Sequence, residues 1–76
     1  MIQVVEHIVK ALVDHPDYVF VEQKEEGNSL LLVLSVHEDD MGKVIGKNGR
    51  VANAIRNVVN ACGFIHKKNV RLEIAE

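Results

Sequence analysis

The residue types with the clearest chemical purpose lie in residues 41–50, where Gly46 and Gly49 enclose Lys47 and Asn48. Glycine has no Cβ, so it adopts backbone angles that other residues avoid and lets another chain approach closely. Apolar periodicity predicts a short helix before these glycines and a longer helix after them. The first N–H groups of a helix attract anions. The glycines therefore predict a tight bend, residues 46–49, that presents a cation, an amide side chain and free N–H groups to phosphate.

Two other glycine-rich phosphate motifs do not fit this stretch. The phosphate loop of nucleotide hydrolases requires G-x-x-x-x-G-K-[ST], but Gly42 and Gly46 lie one residue too close, and Asn48 stands where Ser or Thr must hold magnesium. The dinucleotide pattern G-x-G-x-x-G is absent from the sequence. What remains is G-x-x-G between two helices, which in K-homology (KH) domains clamps the backbone of four nucleotides. A purely structural helix–helix turn is the alternative interpretation.

The residues around the bend form a predicted site for a single nucleic-acid strand. We expect the N–H groups of residues 47–50 to hold phosphates, with Lys47 and Arg50 adding positive charge. Lys43 extends the basic surface, Ile45 offers an apolar wall for bases, and Asn53 meets a base edge. Aromatic stacking, worth about 1–3 kcal/mol per base, is not expected here, so binding should be weak and tolerant of sequence. The predicted RNA-binding residues are Lys43, Ile45, Gly46, Lys47, Asn48, Gly49, Arg50 and Asn53.

Other reactive residue types have simpler explanations than a catalytic or metal site. The chain has four histidines and one cysteine, and their spacing is not that of a zinc site, so we expect no metal and no cofactor. Cys62 falls on the apolar face of a predicted helix, where a thiol usually packs as a small apolar group. The adjacent Asp39 and Asp40 suit a helix N-cap better than an acid–base pair. We therefore expect no enzyme activity.

Length and composition predict one small globular domain over residues 1–76. The chain has 76 residues, of which 47% are hydrophobic, and a net charge of −2. A chain of this size buries only about 60% of its unfolded surface, which leaves no room for a deep catalytic cavity. The single cysteine, and the lack of a secretory or membrane-spanning run, favour a cytoplasmic location.

The net charge hides two parts of opposite sign. Residues 1–40 contain nine acidic residues and two lysines, whereas residues 41–72 contain seven Lys or Arg residues and no acid. Local charge, rather than net charge, governs attraction to phosphate. The bend lies in the basic part, so the negative net charge of the whole chain does not exclude a nucleic-acid partner.

Hydrophobic periodicity predicts the element order α-β-β-α-α-β. The strand over 30–36 is apolar on both faces, so we expect it at the centre of the sheet, with the last strand parallel to it. The fold class is α+β, with three helices covering one face of a three-stranded mixed sheet. In the last helix we expect Val51, Ile55, Val58 and Cys62, helped by Ala54 and Val59, to face the core and Gly63 to end the helix at C′. The predicted elements are helices over 2–14, 40–45 and 50–62 and strands over 18–24, 30–36 and 70–74.

The order of elements and two sequence stretches resemble one family of KH domains. Residues 39–50, residues 12–16 (LVDHP) and the length are similar to the KhpA family, small bacterial proteins with a type II KH domain, over essentially the whole chain. The resemblance implies that the bend binds single-stranded RNA in a post-transcriptional regulator or RNA chaperone that affects cell division and cell shape. It also implies a homodimer or a complex with a KhpB (Jag)-type protein, without membrane insertion.

Two functions remain open on the sequence. An RNA-binding module is favoured by the acid-free stretch around the bend. A protein-interaction module on the same fold, with little or no RNA binding, is favoured by the two-sided apolar strand and by Asn53, Asn57 and Asn60, which stand where lysine is expected on the last helix.

Overall fold

Three helices and three strands follow one another in the order that the sequence predicts. The computed structural model describes residues 2–75, and none of its helices is long and apolar enough to cross a membrane. The elements are α1 (Ile2–Leu12), β1 (Phe20–Glu26), β2 (Ser29–Ser35), α2 (Met41–Ile45), α3 (Arg50–Ile65) and β3 (Asn69–Ile74). Short 3-10 turns lie at Pro16–Tyr18, Glu38–Asp40 and Lys47–Gly49. The predicted α+β class is confirmed.

Strand β2 lies at the centre of the sheet, as its two-sided apolar sequence predicts. It pairs antiparallel with β1 and parallel with β3, in the order β1-β2-β3. Leu32 lies opposite Gln23 of β1 and Leu72 of β3 and is fully buried. The parallel pairing follows from the helical crossover through α2 and α3, because parallel neighbours require a long connection.

One apolar core lies between the helices and the inner face of the sheet. On the outer face, Leu31 and Val33 are half-buried between exposed charged residues of the edge strands, so this face stays open in the chain. The core is built from aliphatic side chains, which fill space without polar atoms that need partners. Its members are Val5, Val9, Val19, Val21, Leu30, Leu32, Leu34, Val44, Ile55, Val59, Val70 and Leu72.

The first helix ends earlier, and the first strand begins later, than the sequence predicts. Helix α1 ends at Leu12 rather than at residue 14, and β1 begins at Phe20 rather than at Tyr18. The residues between α1 and β1 include a 3-10 turn that starts at Pro16. In this segment the N–H of Tyr18 donates to the carbonyl of His15 at 3.0 Å. Proline suits the first position of a helical turn, because its missing N–H would have no helical partner.

The prediction that Gly63 ends the last helix is wrong. Helix α3 continues to Ile65, and Gly63 is buried within it. A Cβ at Gly63 would lie 2.6 Å from Cγ2 of Val70, so glycine is needed here for close packing against β3. The left-handed residue after the helix is Lys67, with φ of 56°.

The inner face of α3 also differs from the predicted one. Ala52, Ile55, Val59 and Gly63 are buried, whereas Val58 is 40% exposed. The core-facing stripe is therefore rotated from the predicted Val51–Ile55–Val58–Cys62 stripe, of which only Ile55 is fully buried. Periodicity alone could not distinguish these stripes, because α3 is apolar on two of its faces.

Candidate nucleic-acid interface

The bend, residues 46–49, has an unusual backbone. Gly46, Asn48 and Gly49 have φ values of 76°, 57° and 74°. Glycine and asparagine are the residues that adopt positive φ at least cost. These angles turn the chain from α2 into α3 through a single 3-10 turn, which is the tight bend that the glycines predict.

Gly46 is required by close approach as well as by its backbone angles. A Cβ at this position would lie 2.4 Å from Cγ2 of Val51, in the first turn of α3. A Cβ at Gly49 would meet nothing within 4 Å. The two glycines therefore have different physical roles: Gly46 permits contact with Val51, and Gly49 supplies only a positive φ.

Two of the four N–H groups predicted to hold phosphate are already bonded within the bend. The N–H of Gly49 donates to the carbonyl of Gly46 at 3.2 Å, and the N–H of Arg50 donates to the carbonyl of Lys47. The prediction for the N–H groups of residues 49 and 50 is therefore wrong. Within residues 2–75, the N–H groups of Lys47 and Asn48 have no backbone partner. The bend thus offers two N–H groups to an anion.

The side chains at the tip of the bend are open to solvent. Lys47, Asn48 and Arg50 are exposed, and neither cation lies within 4 Å of a carboxylate in the part of the chain that the structure describes. Ile45 is half-buried at the end of α2, beside them. A phosphate approaching the tip would meet two uncompensated positive charges, which gives the local attraction that the charge distribution predicts.

Lys43 does not extend the free basic surface as predicted. Its ammonium group is paired with the carboxylate of Asp14, just beyond α1. The hydrogen bond that Lys43 donates to Asp14 raises the pKa of Lys43. Lys43 therefore connects α2 to the segment after α1, and a phosphate would have to compete with Asp14 for its charge.

A cleft of about 340 Å³ lies between α3 and β3, and its polar lining residues are Arg56, Asn60, Arg71 and Glu73. Arg56 spans it, with Nε donating to the carbonyl of Leu72 at 3.4 Å and Nη1 donating to Oδ1 of Asn53 at 3.4 Å. Asn53 is thus oriented by Arg56, and Asn60 and Arg71 also line the cleft or its edge. The sequence interpretation left Asn60 and Arg71 out of the site. Asn60 could have been found, because Asn53, Arg56 and Asn60 recur on one helical face.

A buried carboxylate attaches α2 to the segment after α1. Asp40 is 1% exposed, and its two carboxylate oxygens accept hydrogen bonds from the N–H groups of Asp14 at 3.1 Å and His15 at 2.9 Å. Burial alone raises the pKa of Asp40, but these two N–H donors and nearby positive charge outweigh it and hold the pKa below its ordinary value. The bend is therefore presented by a helix of five residues that a buried charge holds in place.

Of the two candidate N-cap residues, Asp40 is found at the N-cap position of α2, whereas Asp39 lies within the preceding 3-10 turn. Asp40 occupies the N-cap position of α2 but makes no capping hydrogen bond there. In the preceding 3-10 turn, Nδ1 of His37 accepts the N–H of Asp39 at 3.1 Å. The carboxylate of Asp40 makes no capping bond in α2 because its oxygens accept the N–H groups of Asp14 and His15 instead.

The element order and the G-x-x-G bend between two helices are those of a type II KH domain. A family model described as "KhpA/KhpB, KH domain" matches residues 2–74. The chain is 58% identical over 72 residues to the RNA-binding protein KhpA of Halalkalibacterium halodurans, covering 95% of both chains. It is 53% identical over 68 residues to the RNA-binding protein KhpA of Bacillus subtilis, covering 90% of this chain and 84% of that one. The chain belongs to the KhpA/KhpB family of KH domains.

Solved structures of a larger protein contain the same fold. Era from Aquifex aeolicus superposes with a TM-score of 0.64 and 23% identity, covering 95% of this chain and 28% of Era. A structure of Era with MgGDPNP and nucleotides 1506–1542 of 16S ribosomal RNA gives the same values. At this identity the likeness concerns the fold alone.

The different roles of the two glycines predict different costs of substitution. Gly46→Ala places a Cβ against Val51 at a positive φ, and we expect a loss of about 3 kcal/mol or more in unfolding free energy. Gly49→Ala meets open space and should cost about 1–2 kcal/mol. Urea denaturation followed by circular dichroism measures both values. Equal costs would contradict the close contact between Gly46 and Val51.

The lowered pKa of Asp40 predicts a specific acid sensitivity. The carboxylate stabilises the fold fully above its ordinary pKa of 3.8, and this contribution is lost as the pH falls through the lower value of the folded state. Melting temperatures of the wild type should therefore decrease below about pH 4, and Asp40→Asn should remove part of that dependence. Asp17→Asn, at an exposed position, is the matched control. The same pH dependence in both variants would exclude this role of Asp40.

Proposed function

We propose that this chain is an RNA-binding protein that holds the sugar–phosphate backbone of single-stranded RNA at the bend. The observation that carries the proposal is the exposed tip, where the N–H groups of Lys47 and Asn48 have no backbone partner within residues 2–75 and Lys47 and Arg50 have no acidic partner there. The relatives named RNA-binding protein KhpA support the same function. Charge-assisted hydrogen bonds to phosphate are the contacts that these groups can form.

The strand would pass from the bend into the cleft between α3 and β3. Asn53 and Asn60 offer amide groups to base edges, and Arg56 and Arg71 offer guanidinium groups to phosphates or bases. Two phosphate contacts, by Lys47 and Arg50, give a slope of log affinity against log salt of about −1.4, since each contact contributes about −0.7. Weak, sequence-tolerant binding of this kind suits a post-transcriptional regulator or an RNA chaperone, which we propose as the role.

We further propose that the chain binds RNA as a homodimer, because α3 carries an apolar stripe that the rest of the chain leaves uncovered. Val58 and Ile65 are 40% and 74% exposed, and Ala54 and Ala61 are exposed as well. The spacing alternates between three and four residues, which is the repeat of a helix–helix seam. We call this stripe the α3 seam; its exposed residues are Ala54, Val58, Ala61 and Ile65, and the half-buried Val51 lies at its start.

An antiparallel copy of α3 would cover the seam along its whole length. The alanines allow close approach of two helices, and Val58 of each copy would lie at the centre of the pair, with Ala54 of each copy near Ala61 of the other. Leu12 of α1, 41% exposed, flanks the seam and would join the contact. Two linked sites in such a pair would raise the avidity for one RNA. A KhpB (Jag)-type partner could use the same seam, since one family model describes both KH domains.

Reversing the charge of the bend tests the RNA proposal. Lys47→Asp with Asn48→Asp should abolish binding of an unstructured single-stranded RNA, measured by fluorescence anisotropy, and RNA crosslinking in cells. Helicity and melting should not change, because both side chains are exposed and aspartate tolerates the positive φ of Asn48. Lys24→Asp with Asn28→Asp, on β1 and the turn after it, makes the same change of net charge and should bind like the wild type.

Equal RNA binding by the bend variant and the wild type would overturn the clamp. Absence of RNA binding by the wild type, together with retained self-association, would instead identify the alternative function of a protein-interaction module. Loss of binding in both charge variants would show that net charge, rather than the bend, controls the affinity.

Substituting the middle of the seam tests the dimer. Val58→Asp places a charge at the centre of the proposed helix pair, and we expect monomers in sedimentation or light-scattering measurements, where the wild type has twice the chain mass. Phe64→Ser is the matched control, since Phe64 is 85% exposed but lies off the seam. A Val58→Asp protein that remains dimeric would place the interface elsewhere.

A further inference from the structure

Two histidines that are distant in the sequence lie face to face near the start of α2. The rings of His15 and His37 are stacked with their centroids 4.1 Å apart and their planes 26° apart. The edge of Tyr18 packs against His37, with ring centroids 4.6 Å apart. The carboxylate of Asp39 lies beside them, and one ligand atom each from His15, His37 and Asp39 falls within 4.8 Å of the other two. We call these three residues the histidine cluster.

We propose that the histidine cluster binds a divalent transition metal ion of the zinc class. Imidazole nitrogen and carboxylate oxygen are ligands that zinc prefers, and donors about 2.0–2.2 Å from the ion lie at most about 4 Å apart. The three ligand atoms, now up to 4.8 Å apart, must therefore move closer to one another by about 1 Å to bind one ion. Nδ1 of His37 accepts the N–H of Asp39, so His37 would bind the ion through Nε2. The side chain of Asp39, which is 70% exposed, can move toward the ion, and the stacked rings of His15 and His37 would tilt so that both face it. Three protein ligands leave further positions for water.

The electrostatic surroundings favour a cation over any other ligand of this cluster. Residues 14–17 and 37–40 together contain five acidic residues and no lysine or arginine. Lys43, whose charge acts on the neighbouring Asp40, is already paired with Asp14. The aromatic rings of the cluster could stack on a nucleobase, but the acidic neighbours would repel its phosphate. The same neighbours lower the energy of a bound divalent ion.

The backbone around the cluster is held in place before any ion arrives. The N–H of His15 donates to the buried carboxylate of Asp40, and the N–H of Asp39 donates to Nδ1 of His37. These bonds attach the segment after α1 to the segment before α2. Little backbone ordering would be required on binding, which reduces the entropic cost. A bound ion would add a second link between the same two segments and would stabilise the folded state by mass action.

Calorimetric titration of untagged protein with Zn²⁺ tests the site. We expect one ion per chain and a melting temperature that rises with Zn²⁺. His15→Phe keeps a ring to stack on His37 but removes both nitrogens, and His37→Asn keeps an acceptor for the N–H of Asp39. Each should weaken binding at least about tenfold, and Asp39→Asn should weaken it as well. His7→Gln and His66→Gln, exposed histidines outside the cluster, should bind like the wild type.

Three results would overturn the proposal. The first is the absence of saturable Zn²⁺ binding by the wild type. The second is unchanged binding by both His15→Phe and His37→Asn, with circular dichroism showing that the variants fold. The third is loss of binding in Cys62→Ser or His66→Gln, which would place the ion elsewhere on the chain.

Discussion

The contact between Gly46 and Val51 is the constraint on which the exposed bend depends. A loop that must stay open to a ligand gains little stability from its own burial, so neighbouring atoms must impose its shape. Gly46 donates to the carbonyl of Gly42 at 2.8 Å and accepts the N–H of Gly49 at 3.2 Å, and its missing Cβ leaves room for Val51. Val51 in turn packs against the core. One glycine thus connects the shape of the bend to the folded interior.

Helix α3 combines three surfaces that are roughly equally spaced around its axis. One face enters the core through Ile55 and Val59, and a second carries Asn53 and Arg56 toward the cleft. The third is the apolar α3 seam, including Val58. Separation of these faces would allow the proposed RNA binding and the proposed self-association to coexist on one helix. It also explains why the buried face of α3 was predicted incorrectly. The helix has two apolar stripes, only one of them packs against the sheet, and the sequence pattern does not distinguish them.

Opposite charges are separated along the short helix α2. Its beginning lies among the acidic residues of segments 14–17 and 37–40, and its end carries the bend with Lys47 and Arg50. Asp40 and the Lys43–Asp14 pair lie on the acidic side and hold the helix to the segment after α1. The two ends are therefore suited to ligands of opposite sign. An overall net charge of −2 conceals this arrangement, because each ligand responds to the charges nearest to it.

The sequence by itself determined the element order, the central position of β2 and the G-x-x-G bend, because periodicity, β-branched runs and glycine spacing are local signals. The tertiary structure alone decided that Gly63 lies inside α3 under Val70, that Val58 faces outward, and that Lys43 is paired. It also decided that His15 and His37 lie together. These outcomes depend on which distant segments meet once the core has formed. Local propensities, which act over three or four residues, do not specify contacts between segments that are distant in the sequence.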